Sequence, residues 1–147
     1  MKPALVIGYG NPLREDDGIG WRAAELVESK LPAGAVEVMQ RHQLTPEIAY
    51  HIEGTPLVIF LDAAEGQAPG SFCCRPVGDA DTGPWSHHLT PEQVVALAKT
   101  IGHRVPPAVL ITGGIARMGY GEMLSEAGEQ SARKMAEEAI RLVAFSA

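Results

Sequence analysis

Within its first forty residues the chain runs strand, helix, strand, and that succession constrains the fold more than anything that follows. Ala4-Leu5-Val6-Ile7 is an uninterrupted apolar run of strand length. Ile19, Ala23, Leu26 and Val27 then recur at helical spacing, which predicts a helix from about Ile19 to Lys30, stopped by Leu31-Pro32-Ala33-Gly34. Val36-Glu37-Val38-Met39 is the second strand. Strands joined by a helical crossover of this length should be parallel, with a right-handed connection.

The loop from the first strand to the helix reads Gly8-Tyr9-Gly10-Asn11-Pro12-Leu13-Arg14-Glu15-Asp16-Asp17-Gly18-Ile19-Gly20. It lies at the carboxyl end of a strand, where open α/β sheets place their ligand crevice. Three consecutive acids, Glu15, Asp16 and Asp17, stand between glycines that permit tight turns. An acidic run alone is most simply a solvated turn, so its meaning depends on what the rest of the chain brings near it.

Thr45-Pro46-Glu47 supplies an N-cap and a first-turn proline for a short helix through about Ile52. The third strand, Leu57-Val58-Ile59-Phe60-Leu61, is apolar on both faces and belongs in the sheet centre. Asp62 follows it. In a doubly wound sheet the third strand lies beside the first, opposite the second, so Asp62 and the Asp16-Asp17 loop should face one crevice. The plainer reading of Asp62 is a loop cap.

Gly70-Ser71-Phe72-Cys73-Cys74-Arg75 reads as a fourth strand at an antiparallel edge, since its connection is too short for a helical crossover. Ser86-His87-His88-Leu89 precedes Thr90-Pro91-Glu92-Gln93, a capping box opening a helix through about Thr100. Ala108 to Thr112 is the fifth strand, closed by Gly113-Gly114. The last helix spans about Ser125 to Phe145, with an apolar stripe of Ala132, Met135, Ala136, Ala139, Ile140, Val143 and Ala144. Lys134 with Glu138 and Glu137 with Arg141 should pair outside that stripe.

These elements predict an α/β fold: a single-domain, three-layer αβα sandwich over residues 1–147, around a five-stranded, mostly parallel twisted sheet with one antiparallel edge strand. Length and a hydrophobic content of 46% suit one domain with its own core. Net charge is -6 and the 12 Lys and Arg residues are scattered, which gives no footprint for nucleic acid. The four-residue apolar run near the N-terminus is too short for a signal or membrane segment, so a cytoplasmic protein with no membrane partner is expected. Adjacent Cys73 and Cys74 would point to opposite faces of a strand, which makes a mutual disulfide awkward and predicts buried thiols in a reducing compartment.

Three chemistries compete. A dinucleotide fingerprint would need a third small residue where Leu13 stands and an acid where Gln40-Arg41 stand; both are missing. A serine or cysteine nucleophile has no Gly-x-Ser-x-Gly elbow and no evident base beside Cys73 or Cys74. A metal site of Asp17, Asp62 and His87 remains. Two carboxylates and one imidazole, with solvent or substrate completing the shell, suit nickel or zinc better than calcium or magnesium. If the two carboxylates share a metal-free site, repulsion should raise the pKa of at least one.

The motif Gly8-x-Gly10-Asn11-x-Leu13-x-x-Asp16-Asp17-Gly18-x-Gly20, the third strand ending in Asp62-Ala63, and Ser86-His87-His88-Leu89 before a helix together resemble the hydrogenase maturation proteases. The resemblance spans essentially the whole chain in order. It implies an aspartic-type endopeptidase that recognises nickel in the large-subunit precursor of a nickel-iron hydrogenase and removes a C-terminal extension. It assigns metal binding and catalysis to Asp17, Asp62 and His87, with nickel supplied by the substrate and zinc or cadmium able to occupy the site in vitro. The family often has Glu where Asp17 stands, which leaves Asp16 as a rival ligand, and His88 rivals His87. Asp16, His88, Asn11 and Gln43 are the expected substrate-binding residues; Asn11 would position the loop or donate to the substrate backbone, and Gln43 would line the crevice wall. A nickel-dependent precursor-binding or checkpoint protein would carry the same residues without cutting.

Overall fold

The computed structural model describes residues 2–79, 88–102 and 104–146. One five-stranded sheet carries β1 (Ala4–Tyr9), β2 (Val36–Arg41), β3 (Val58–Ala64), β4 (Phe72–Pro76) and β5 (Ala108–Gly114), in the order β2-β1-β3-β5-β4. All neighbours are parallel except β4, which runs antiparallel to β5 at the edge. The third strand lies beside the first, opposite the second, as the βαβ arrangement requires.

Helices cover both faces. On one, α1 (Ile19–Lys30) and α4 (Glu126–Ser146) pack against Val6, Ile59, Leu61 and Ile111. On the other, α2 (Ile48–Ile52) and α3 (Pro91–Thr100) pack against Leu5, Ile7, Val58 and Phe60. Because side chains alternate along a strand, successive residues of β1 and β3 feed both layers, which is why these strands are apolar throughout. At roughly 25 cal/mol per Å² of apolar surface buried, this double burial is the main stabilising term.

α1 and α3 keep the predicted boundaries, and Thr90 and Gln93 form the expected reciprocal capping box. Other expectations are corrected. β3 runs on through Ala64, so Asp62 lies inside the strand, in register with Thr112 of β5. The β5 glycines likewise continue the ladder. α2 begins at Ile48 because the preceding residues form turns with three-residue spacing, Ile48 N–H to Thr45 C=O and Ala49 N–H to Pro46 C=O; Thr45 does not cap it. Cys73 and Cys74 are free, as expected, but exposed: every residue of β4 is exposed, so its apolar composition does not signal burial. On α4, Ala144 is exposed, Glu138 pairs with Arg141 three residues on, and Lys134 donates to Gly70 C=O.

Candidate active site

The acidic loop is shaped by its own backbone. Gly10 adopts φ 134°, with the Asp17 carbonyl where a side chain would begin. Folding back this way lets Asn11 N–H donate to Asp17 Oδ2 at 2.8 Å, while Asn11 Oδ1 accepts from Leu13 N–H at 2.9 Å. Asn11 thus positions the loop, one of its two expected roles. Residues Glu15–Gly18 form a 3-10 turn leading directly into α1. A β-carbon on Gly20 would strike the carbonyl oxygens of Leu61 and Tyr9, so glycine lets the start of α1 sit directly on the ends of β3 and β1. That contact brings the loop carrying Asp17 over the strand carrying Asp62.

The three acids take three directions. Glu15, the one non-glycine residue among those described with positive φ, at 48°, accepts from Gly119 N–H at 3.0 Å and pairs with Arg117 at 2.6 Å. Asp16 is fully buried. Its carboxylate accepts from the backbone N–H of Ala116, Arg117 and Ser125 and from the Ser125 hydroxyl, at 2.6 to 3.2 Å. Burial raises the Asp16 pKa, but these hydrogen bonds outweigh it and the net movement is downward. Expected at the substrate-binding face, Asp16 instead ties the acidic loop to residues 116–125. Arg14 strengthens the tie through Met118 and Gly119 carbonyls and by stacking 4.9 Å from the Tyr120 ring centroid.

Asp17, held through its Oδ2 by Asn11 N–H, lies close enough for its charge to act on Asp62. Asp62 Oδ1 accepts from Ala63 N–H at 2.8 Å, and the Tyr9 side chain approaches the same carboxylate. The Asp62 pKa is pushed up to about 7, first by burial and also by Asp17; Ala63 and Tyr9 act in the opposite direction. The upward shift matches the expectation for two acids sharing a site, but desolvation contributes more than repulsion. Tyr9, whose own pKa burial and Asp62 drive well above normal, was not singled out from the sequence. Strand parity marks it: Gly8 is opposite Leu61, so Tyr9 falls beside Asp62.

His87 lies outside the described residues. His88 is exposed, immediately before Leu89, whose N–H donates to Leu44 C=O at 3.3 Å. That bond brings half-buried Gln43 and its neighbours next to His88 and Leu89, at the same edge of the sheet. Among the described residues no three His, Cys, Asp or Glu side chains cluster as a metal site. Asp17 and Asp62 are the two acids whose charges interact at this edge.

No protein-family profile matches the sequence, and no curated protein matches it. Solved structures do. The chain superposes on the hydrogenase maturating endopeptidase HybD from E. coli with a TM-score of 0.81 at 21% identity, covering 98% of this chain and 93% of that one. It superposes on the nickel-iron hydrogenase maturation protease HycI from Thermococcus kodakarensis KOD1 with a TM-score of 0.72 at 24% identity, covering 97% and 93%. For the hydrogenase 2 maturation peptidase from Thaumarchaeota archaeon SCGC_AB-539-E09 the values are 0.73 and 24%, with 98% and 99% covered. Over nearly its whole length, therefore, this chain has the fold of the hydrogenase maturation proteases.

Proposed function

We propose that the protein is a metal-dependent endopeptidase that removes the C-terminal extension from the nickel-loaded large-subunit precursor of a nickel-iron hydrogenase. What supports this reading is the fold shared with hydrogenase maturation proteases, together with the acidic loop after β1 and Asp62 of β3 at the carboxyl edge of the sheet, where the charge of Asp17 acts on Asp62. His87 is the proposed third ligand and His88 its rival. Asp17 is preferred to Asp16 because the Asp16 oxygens are already engaged by four internal hydrogen bonds.

Nickel carried by the substrate would be held by these residues, where it would supply positive charge to polarise the scissile carbonyl or to activate water. Asp17 and Asp62 bind and orient it, and the loop restraints on Asn11 and Gly10 keep Asp17 in place. Hydrolysis then adds water across one amide bond and releases the extension with a new amino terminus. Among the described residues no helix is long and apolar enough to cross a membrane.

The test mixes purified protein with nickel-loaded precursor and follows the precursor C-terminus by mass spectrometry. The wild type should shorten it, while Asp62→Asn should leave it intact. Binding without shortening would make the protein a checkpoint factor. Full processing by Asp62→Asn would leave the fold without this site.

A further inference from the structure

We propose that Tyr9 is a positioning residue for the proposed site: its hydroxyl holds the Asp62 carboxylate in the orientation that faces Asp17 across the crevice. The inference rests on the reading of Asp62 as a ligand, and it assigns a role to a side chain outside the acidic motif.

The geometry begins with register. Gly8 of β1 pairs with Leu61 of β3, so the next residues, Tyr9 and Asp62, are neighbours on parallel strands about 4.8 Å apart. Both belong to the face covered by α2 and α3: Asp62 follows Phe60 by two residues, and Tyr9 packs against the cluster containing Leu5, Ile7 and Phe60. The Tyr9 ring is therefore supported by core side chains on the same face as Asp62, which brings its hydroxyl near the Asp62 carboxylate.

Asp62 needs such a partner. Its Oδ1 is committed to Ala63 N–H at 2.8 Å, a contact with the adjacent residue that leaves the carboxylate plane free to turn. A second donor on another strand fixes that plane and leaves the remaining lone pairs for a cation. Beyond the Tyr9 hydroxyl, Glu92 in the first turn of α3 pairs with Arg75 of β4 at 2.6 Å, and both charges act on Tyr9. The hydroxyl thus lies near both the Asp62 carboxylate and an ion pair bridging two further elements. Outer partners of this kind orient ligating groups, and removing one typically weakens metal binding about 10- to 100-fold.

Tyr9→Phe removes only the hydroxyl. Calorimetric titration of the metal-free protein with zinc, at one pH, should show roughly 10- to 100-fold weaker binding by Tyr9→Phe than by wild type. Asp62→Asn, titrated in parallel, should abolish measurable binding. Unchanged zinc affinity in Tyr9→Phe, with binding lost in Asp62→Asn, overturns this inference and leaves the site itself standing. Retained affinity in Asp62→Asn overturns the site. If Tyr9→Phe also lowers Tm, the Tyr9→Phe, Asp62→Asn and double variants form a cycle: non-additive Tm changes support the contact, and additive changes overturn it.

Discussion

Asp16 and Asp62 are the same side chain in opposite circumstances. Asp16 is sealed among residues 116–125 and accepts four hydrogen bonds, whereas Asp62 has one backbone donor and the approaching Tyr9 hydroxyl. Burial pushes both pKa values upward, yet Asp16 ends below the usual carboxylate range and Asp62 reaches about 7. Hydrogen bonds outweigh desolvation at Asp16, and desolvation outweighs them at Asp62. A saturated carboxylate holds the backbone together, and an under-supplied one stays open to a proton or a cation.

The largest effect should come from Asp16→Ala. It would leave the N–H groups of Ala116, Arg117 and Ser125 without their acceptor, at about 1 to 3 kcal/mol for the buried Ser125 N–H and less for the other two, which solvent can reach. Urea unfolding should show a loss of about 4 kcal/mol; a loss below about 1 kcal/mol would dissolve the contrast. Next, Ile59→Ala in β3 touches neither carboxylate and should cost about 2 to 4 kcal/mol by opening a cavity, while the folded fraction still processes precursor.

Asp62→Asn should move stability the other way. A carboxyl whose folded pKa is near 7, against 3.8 unfolded, binds its proton more tightly when folded. Metal-free wild type should therefore lose stability as pH rises from about 4 to 7, with the penalty complete above pH 7. Linkage bounds it at about 4 kcal/mol, and Asn loses part of the gain by serving Ala63 and Tyr9 less well, so about 1 to 3 kcal/mol is expected at pH 8. Tm measured across that range should rise in the variant only toward neutral pH. Asp16, with its lowered pKa, stabilises above the ordinary carboxylate range and loses that contribution on acidification, so the two acids bend the pH profile in opposite senses. The smallest effect belongs to Cys73→Ser on exposed β4, within about 0.5 kcal/mol by the same unfolding measurement. A larger change would mean that this edge is covered.

The order of the first three strands, the antiparallel edge, and the bounds of α1 and α3 were legible because apolar periodicity and capping chemistry act locally. Asp17 and Asp62 could be brought to one edge from topology alone. The division of labour among Glu15, Asp16 and Asp17 could not, because it depends on backbone donors about a hundred residues away in a loop whose glycines carry no periodic signal. Tyr9 was hidden in the variable position of a glycine motif, where only pairing with β3 gives it a neighbour. The exposure of Cys73 and Cys74 was missed since residue type reports burial poorly on an edge strand.

The tie between Asp16 and Ser125 spans 109 residues, and this separation bears on when the protein becomes competent. While the chain is being synthesised, the N-terminal βαβ unit and β3 emerge first and can pair. The loop that presents Asp17 then lacks the acceptor–donor network on its far side, and Asp16 is a solvated acid beside its neighbours. Closing so long a loop is a late and slow event relative to local helix formation. The network that braces the loop carrying Asp17 from its far side is therefore completed only after β5 and the start of α4 have been made.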